Sequence, residues 1–76
     1  MGEKKQVKYP VIIEKSGENF SAYSPDLPGC AATGHTISET MRRMREAIRL
    51  HIDGMTAEGV PVPPPSTRVE YVEISV

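Results

Sequence analysis

Seventy-six residues with nine basic and ten acidic side chains, a net charge of −1, make one small domain and exclude the strong positive field of a general nucleic-acid binder. A single core in a chain this short rarely supplies more than ~3–5 kcal/mol, so such a domain leans on a disulfide, a metal or a partner subunit. Cys30 is the one cysteine, which excludes an internal disulfide. Cys30, His35 and His51 also lack the paired spacing of a zinc site. A homo-oligomer, dimer or tetramer, is the expected support.

Residues 1–6 carry no apolar run and read as a flexible N-terminus, not a signal peptide. Residues 7–15 are rich in β-branched and aromatic side chains and predict a first strand. Pro10 withholds one backbone donor and leaves that strand locally unpaired. Tyr9, Val11 and Ile13 project to one side of it, with Val7, and Ile12 to the other. Ser16-Gly17-Glu18-Asn19 is hairpin-turn chemistry. Phe20 to Ser24 predict a second strand, with Phe20 and Ala22 on one face. Pro25-Asp26-Leu27-Pro28-Gly29 is a rigid connection, because two prolines fix φ and Gly29 accepts a positive one. Cys30 to Thr33 form a short third strand, closed by Gly34.

Thr36-Ile37-Ser38-Glu39 fits a capping box, with Thr36 covering a free amide and Glu39 reaching back to the cap. Ile37, Met41, Met44, Ile48, Ile52 and Met55 then recur at three- and four-residue steps, one apolar stripe of a helix that Gly59 caps. The other face carries Arg42, Arg43, Glu46, Arg49 and Asp53, with Glu39–Arg43 and Arg49–Asp53 spaced for i,i+4 ion pairs. Residues 61–66, a proline-rich run, form an extended connection, and residues 68–76 predict a last strand. The expected order is β-β-β-α-β: an α+β domain over residues 1–76, an antiparallel meander with one helix on one sheet face. The first and last strands are apolar on both sides while one helix hides one side, so an uncovered apolar sheet face is expected to meet a partner.

The segments Tyr9-Pro10-Val11-Ile12-Ile13-Glu14, Phe20 through Pro25-Asp26-Leu27-Pro28-Gly29-Cys30, and Gly34-His35-Thr36-Ile37-Ser38-Glu39 resemble the HicB family of bacterial and archaeal antitoxins. Arg45-Glu46-Ala47-Ile48 and the run from Gly59 through Pro61 and Pro63 fit the same pattern. The resemblance covers about residues 7–66. It implies a truncated RNase H-like fold and a protein-binding role: HicB proteins neutralise HicA, a small RNA-cleaving toxin. Many also carry a C-terminal DNA-binding domain. The sequence stops at Val76, so the expectation is a free-standing short form without specific DNA binding of its own.

An RNase H-like fold raises the question of catalysis. Two-metal hydrolysis needs carboxylates converging on ions about 4 Å apart. Glu14 stands at a strand end, Glu39 and Glu46 neighbour arginines, and Glu70 and Glu73 point to opposite faces. No enzyme activity, cofactor or metal is expected. Asp26, Leu27, Pro28, Tyr71 and Glu73 are the expected partner contacts, although the simpler reading of Asp26 is a carboxylate that caps a turn amide. Cys30 reads as a small buried hydrophobe, His35 as a solvated loop residue and His51 as a boundary residue. The arginine-rich helix face reads as a solvated surface; contact with an acidic partner or with RNA is the other reading, which would make the chain a nucleic-acid-binding regulator. An interaction domain with an unrelated partner is the third. The free thiol, the lack of an export signal and of a roughly 20-residue apolar span point to the cytoplasm and away from membranes.

Overall fold

The computed structural model describes residues 6–76, so the expected flexible start lies almost wholly outside the described residues. The chain forms β1 (Ile12–Ser16), β2 (Asn19–Tyr23), β3 (Ala31–Gly34) and one helix, α1 (Ile37–Ala57). The strands make an antiparallel meander in the order β1-β2-β3. Gly17, at φ 63°, is the first central residue of the two-residue β1–β2 turn, the position where a hairpin needs a left-handed residue. Ile13 pairs with Ala22 and Ala22 with Ala32, so one row of side chains faces α1. Ala22, Leu27, Cys30 and Met44 are the fully buried hydrophobic core, with Tyr9, Val11, Ile13 and Ile48 packed around them.

Helix α1 starts where the capping residues say it does. Thr36 Oγ1 accepts from the Glu39 amide at 3.0 Å. The return bond is displaced by one residue: the Glu39 carboxylate accepts from the amide of His35, not Thr36, at 2.7 Å. That bond, together with Arg43 3.6 Å away, outweighs desolvation and holds the Glu39 carboxyl below its usual range. The C-terminus closes as a Schellman motif. Gly59, at φ 72°, donates to Thr56 and Val60 donates to Met55.

Helix and sheet come into close contact at Gly34. A Cβ there would lie 2.6 Å from Thr40 Oγ1 and 2.9 Å from the Thr40 amide, so only glycine lets the end of β3 approach the helix. Thr40 is itself fully buried. Its hydroxyl donates to the Thr36 carbonyl at 2.7 Å, which satisfies the one polar group that burial would otherwise penalise. Because of this contact α1 packs over β3 and β2 and leaves β1 largely uncovered. The expected stripe is therefore only partly used. Met44 is buried, Ile48, Ile52 and Met55 are half-buried, and Ile37 and Met41 are exposed.

Two expectations are corrected. Residues 68–76 pair with no strand among the described residues. β-propensity states only that a segment suits a pleated surface, and pairing depends on an available edge. Here the segment projects as an arm, and the radius of gyration is 14.6 Å where a compact chain of this length measures about 11 Å. Secondly, the open sheet face is not broadly apolar. It carries Ile12, Glu14, Ser21, Tyr23, Ala31 and Thr33, of which only Ile12 and Tyr23 are large hydrophobics.

Met44→Ala empties a fully enclosed site and is expected to cost ~2–5 kcal/mol, while Arg42→Ala on the solvent face is expected to stay within about 0.5 kcal/mol. Paired thermal melts at one protein concentration compare them; equal losses would mean that α1 presents a different face to the sheet. Ser24 tests polar burial. Its hydroxyl is enclosed and has no hydrogen-bond partner among the described residues, so Ser24→Ala is expected to leave the melting temperature unchanged or raise it.

Candidate partner-binding surface

The connection between β2 and β3 turns twice. Leu27 N donates to the Ser24 carbonyl at 3.2 Å and Cys30 N to the Leu27 carbonyl at 3.0 Å. Each is a four-residue β-turn with proline at its second position, Pro25 and then Pro28. Gly29, at φ 83°, supplies the left-handed residue that the second turn requires. Leu27 sits where the two turns join, and its side chain points inward with no exposure at all. It anchors the core and does not contribute its side chain to a contact surface, which corrects its assignment as a partner contact. Pro28 is exposed beside it.

Asp26 has a defined task. Its carboxylate accepts from Ser66 Oγ at 3.0 Å, Thr67 Oγ1 at 2.8 Å and the Thr67 amide at 3.2 Å. It is a latch on the root of the C-terminal arm. A second staple lies upstream, where the Tyr9 hydroxyl donates to the Pro63 carbonyl at 2.6 Å. The proline-rich connection is thus held at its middle, Pro63, and at its end, Ser66, and the arm leaves the body from a set point. Tyr71 and Glu73 lie on that arm and are exposed. So are Val69, Val72, Ile74 and Val76.

The structure accordingly joins Asp26 to the arm that bears Tyr71 and Glu73, through Ser66 and Thr67. Sequence reasoning missed those two residues because they stand 40 and 41 positions from Asp26, beyond the reach of any local pattern. It also missed a cleft of about 1060 Å³ between α1 and the segment leading into β1. Val7, Tyr9, Val11, Met41, Met44 and Ile48 give it an apolar lining. Arg45 and Arg49 stand at its edge with Glu46 and Asp53. Arg49 pairs with Asp53 at 3.9 Å, both well exposed.

Other titratable groups take structural roles. Burial pushes the Cys30 thiol up, away from the thiolate that reactivity needs. His35 is exposed and its Nδ1 lies 2.9 Å from Asn19 Oδ1. Arg43 donates to the Thr33 carbonyl at 3.1 Å, so part of the arginine face is committed to holding α1 on β3. Among the described residues no group of three acidic, histidine or cysteine side chains is placed to hold a metal, and no helix is long and apolar enough to cross a membrane.

Desolvation acts to raise the Asp26 carboxyl, but the hydrogen bonds from Thr67 and Ser66 outweigh it and hold it below the ordinary carboxylate range. A depressed folded value means that the latch is fully present above the ordinary aspartate value of about 3.9 and is lost as pH falls through the lower folded one. Asp26→Asn is expected to speed hydrogen exchange of the Thr67 amide at pH 7 by at least about tenfold. In the parent the same release appears only on acidification. Unchanged exchange in the variant would remove the carboxylate from the latch.

The comparisons with known proteins agree with this architecture. A solved chain from a HicA3 and HicB3 toxin–antitoxin complex superposes with a TM-score of 0.68 at 38% identity, over 78% of this chain and 70% of that one. The N-terminal domain of antitoxin HicB from Burkholderia pseudomallei superposes with a TM-score of 0.63 at 26% identity, over 88% and 72%. Among curated relatives, an uncharacterised 14.9 kDa protein of Haemophilus phage HP1 is 38% identical over 64 residues, 84% of this chain and 48% of its own length. A UPF0150 protein of Synechocystis is 36% identical over 69 residues, 90% of this chain and 87% of its own. The chain thus spans about half of the phage protein and most of the cyanobacterial one. The model of the HicB-like antitoxin of bacterial toxin–antitoxin systems matches residues 9–75, and with the double-turn loop, the capped helix and the proline-rich connection all inside that span, the chain belongs to the HicB-like antitoxin family.

Proposed function

We propose that this chain neutralises a small HicA-type RNA-cleaving toxin by covering it, and that it does so as a homo-oligomer without catalysing any reaction. The observation that carries the reading is the likeness, at 38% identity, to a chain solved in a HicA3 and HicB3 toxin–antitoxin complex. The available surface suits the task. Glu14 and Glu18 on the β1–β2 hairpin and Glu73 on the arm are exposed carboxylates, and opposite charge across an interface speeds encounter and fixes orientation with a basic, RNA-binding partner. Tyr71, 83% exposed, is the large amphipathic side chain that interfaces favour as an anchor. Pro28 and the rigid turn around it extend the same contact set. Asp26 acts through the arm: its lone pairs are engaged by Ser66 and Thr67, so it positions Tyr71 and Glu73. It does not itself meet the toxin.

The test is co-expression with a HicA-type toxin encoded beside this chain's gene, followed by titration calorimetry of the purified pair. The parent is expected to restore growth and to bind in the nanomolar range. The pair of changes Tyr71→Ala and Glu73→Lys is expected to weaken binding by about 2 kcal/mol or more, the size of an interface hot spot. Normal growth arrest despite co-expression, with no heat of binding, would overturn the proposal. Salt-dependent binding to RNA by the free chain would instead favour a role for the arginine face of α1.

A further inference from the structure

We infer that the Thr67 hydroxyl is a phosphoryl-acceptor site, and that a phosphate placed on it opens the latch to Asp26 and releases the C-terminal arm. Release would regulate the toxin contact read above, and it rests on that reading for its consequence alone. Thr67 Oγ1 donates to Asp26 Oδ1 at 2.8 Å, and Ser66 Oγ donates to the same oxygen at 3.0 Å. The Thr67 amide adds a third donor at 3.2 Å. Those bonds hold the Asp26 carboxyl below its usual range, so the group facing Thr67 is an anion at neutral pH. Other hydroxyls are less open to modification. Thr36 and Thr40 are engaged at the helix start, Ser24 is enclosed, and Ser38 and Thr56 lie within α1. Thr67 is exposed, stands outside every described helix and strand, and follows the proline-rich run of residues 61–65. A kinase cleft reaches such a surface segment without opening the core.

The transfer takes a nucleoside triphosphate and a serine/threonine kinase as co-reactants. Thr67 Oγ1 attacks the γ-phosphorus, and the new oxygen–phosphorus bond forms as the bond to the β,γ-bridging oxygen breaks. The nucleoside diphosphate leaves, and the hydroxyl proton passes to a base of the kinase. Two changes at the latch follow. The ester oxygen has no proton to donate, so the shortest of the contacts to Asp26 is lost. A group carrying about −1.5 to −2 charge then stands beside an ionised carboxylate, the placement in which phosphorylation disrupts a contact. Arg68 is the next residue, an exposed guanidinium paired with Glu70 at 2.7 Å, and the phosphate competes with Glu70 for it. Release stays local. The Tyr9 staple holds the connection at Pro63, upstream of the modified residue, and the backbone bonds of the double turn keep Leu27 in the core. What is lost is the fixed direction of Tyr71 and Glu73, so binding through them carries a larger ordering entropy.

Cys30 follows Gly29, so a 1–29 thioester and a 30–76 peptide carrying phosphate on Thr67 Oγ1 join by native chemical ligation into the full chain. Amide hydrogen exchange without toxin is the first measurement. The Thr67 amide is expected to exchange at least about tenfold faster in the phosphorylated chain, while amides of β2 and α1 keep their protection. In an Asp26→Asn background, which lacks the opposing carboxylate, the phosphate is expected to add less than about twofold. Exchange unaltered by phosphate, or accelerated equally in both backgrounds, would overturn release through Asp26. The second measurement is labelling of the full chain with ATP in an extract of the cells that carry its gene. Phosphate is expected at Thr67 and absent from Thr67→Val; no labelling, or labelling that persists in the variant, would overturn the acceptor assignment. Titration with toxin separates the consequence. The phosphorylated chain is expected to bind with a Kd at least about tenfold higher. An opened latch with an unchanged Kd would leave the switch standing and overturn the arm as the toxin contact.

Discussion

The loop between β2 and β3 reverses direction twice in seven residues, and the rest of the molecule takes its dimensions from it. Two prolines and one left-handed glycine leave the backbone from Ser24 to Cys30 little choice of path. That path drives Leu27 into the core between Ala22, Cys30 and Met44 and turns the adjacent Asp26 outward. Neighbouring side chains on a rigid loop thus do opposite jobs. One contributes burial, about 25 cal/mol for each Å² of apolar surface removed from water; the other uses hydrogen bonds to fix where the arm begins. A flexible loop of the same length would do neither, because ordering it would cost roughly 1–2 kcal/mol per residue.

The second constraint is the contact between Gly34 and Thr40. By allowing β3 and α1 to approach to backbone distance, it places the helix at one side of the three-stranded sheet. The consequence is an uneven distribution of apolar surface. β2 and β3 are covered, and the segment leading into β1 is left beside a cleft that Val11 lines. With four fully buried hydrophobic residues among those described, the core is small for a chain of this length, and part of the helix stripe stays exposed among the described residues. Exposed apolar surface of this kind is characteristic of sites that meet another protein, and it agrees with membership of a family whose members act in pairs of proteins.

Much of this was legible in the sequence, for identifiable reasons. The hairpin at Gly17, the capped helix start at Thr36 and the stop at Gly59 follow from local chemistry: left-handed φ, free amides and free carbonyls each call for particular residue types close at hand. The loop from Pro25 to Gly29 was readable as rigid but not as directional, so Leu27 was assigned to the surface although the two turns point it inward. Thr40 escaped because a hydroxyl looks polar in a pattern; only the bond to Thr36 makes it suitable for burial. Asp26 with Ser66 and Thr67, like Tyr9 with Pro63, joins residues more than 39 positions apart, and no periodicity connects them. The alternation of residues 68–76 suits a strand, but a strand also needs an edge to pair with, and no local pattern reports whether one is within reach.

That last ambiguity is physical before it is a matter of inference. A strand's stability resides in the edge it meets, and backbone hydrogen bonds are indifferent to whether donor and acceptor belong to one chain. What distinguishes the alternatives is the geometry of the root. A free connection would let the arm sample its own β1 edge at a high effective concentration, and the monomer would close on itself. Two staples, at Tyr9 and Asp26, take that freedom away: they hold the connection against the body and fix the direction of exit. The carboxylate of Asp26 therefore fixes the direction of the arm from outside the arm itself. It converts a short, apolar, strand-forming segment from a disordered tail into an oriented arm, and orientation lowers the entropy lost when the arm meets a partner.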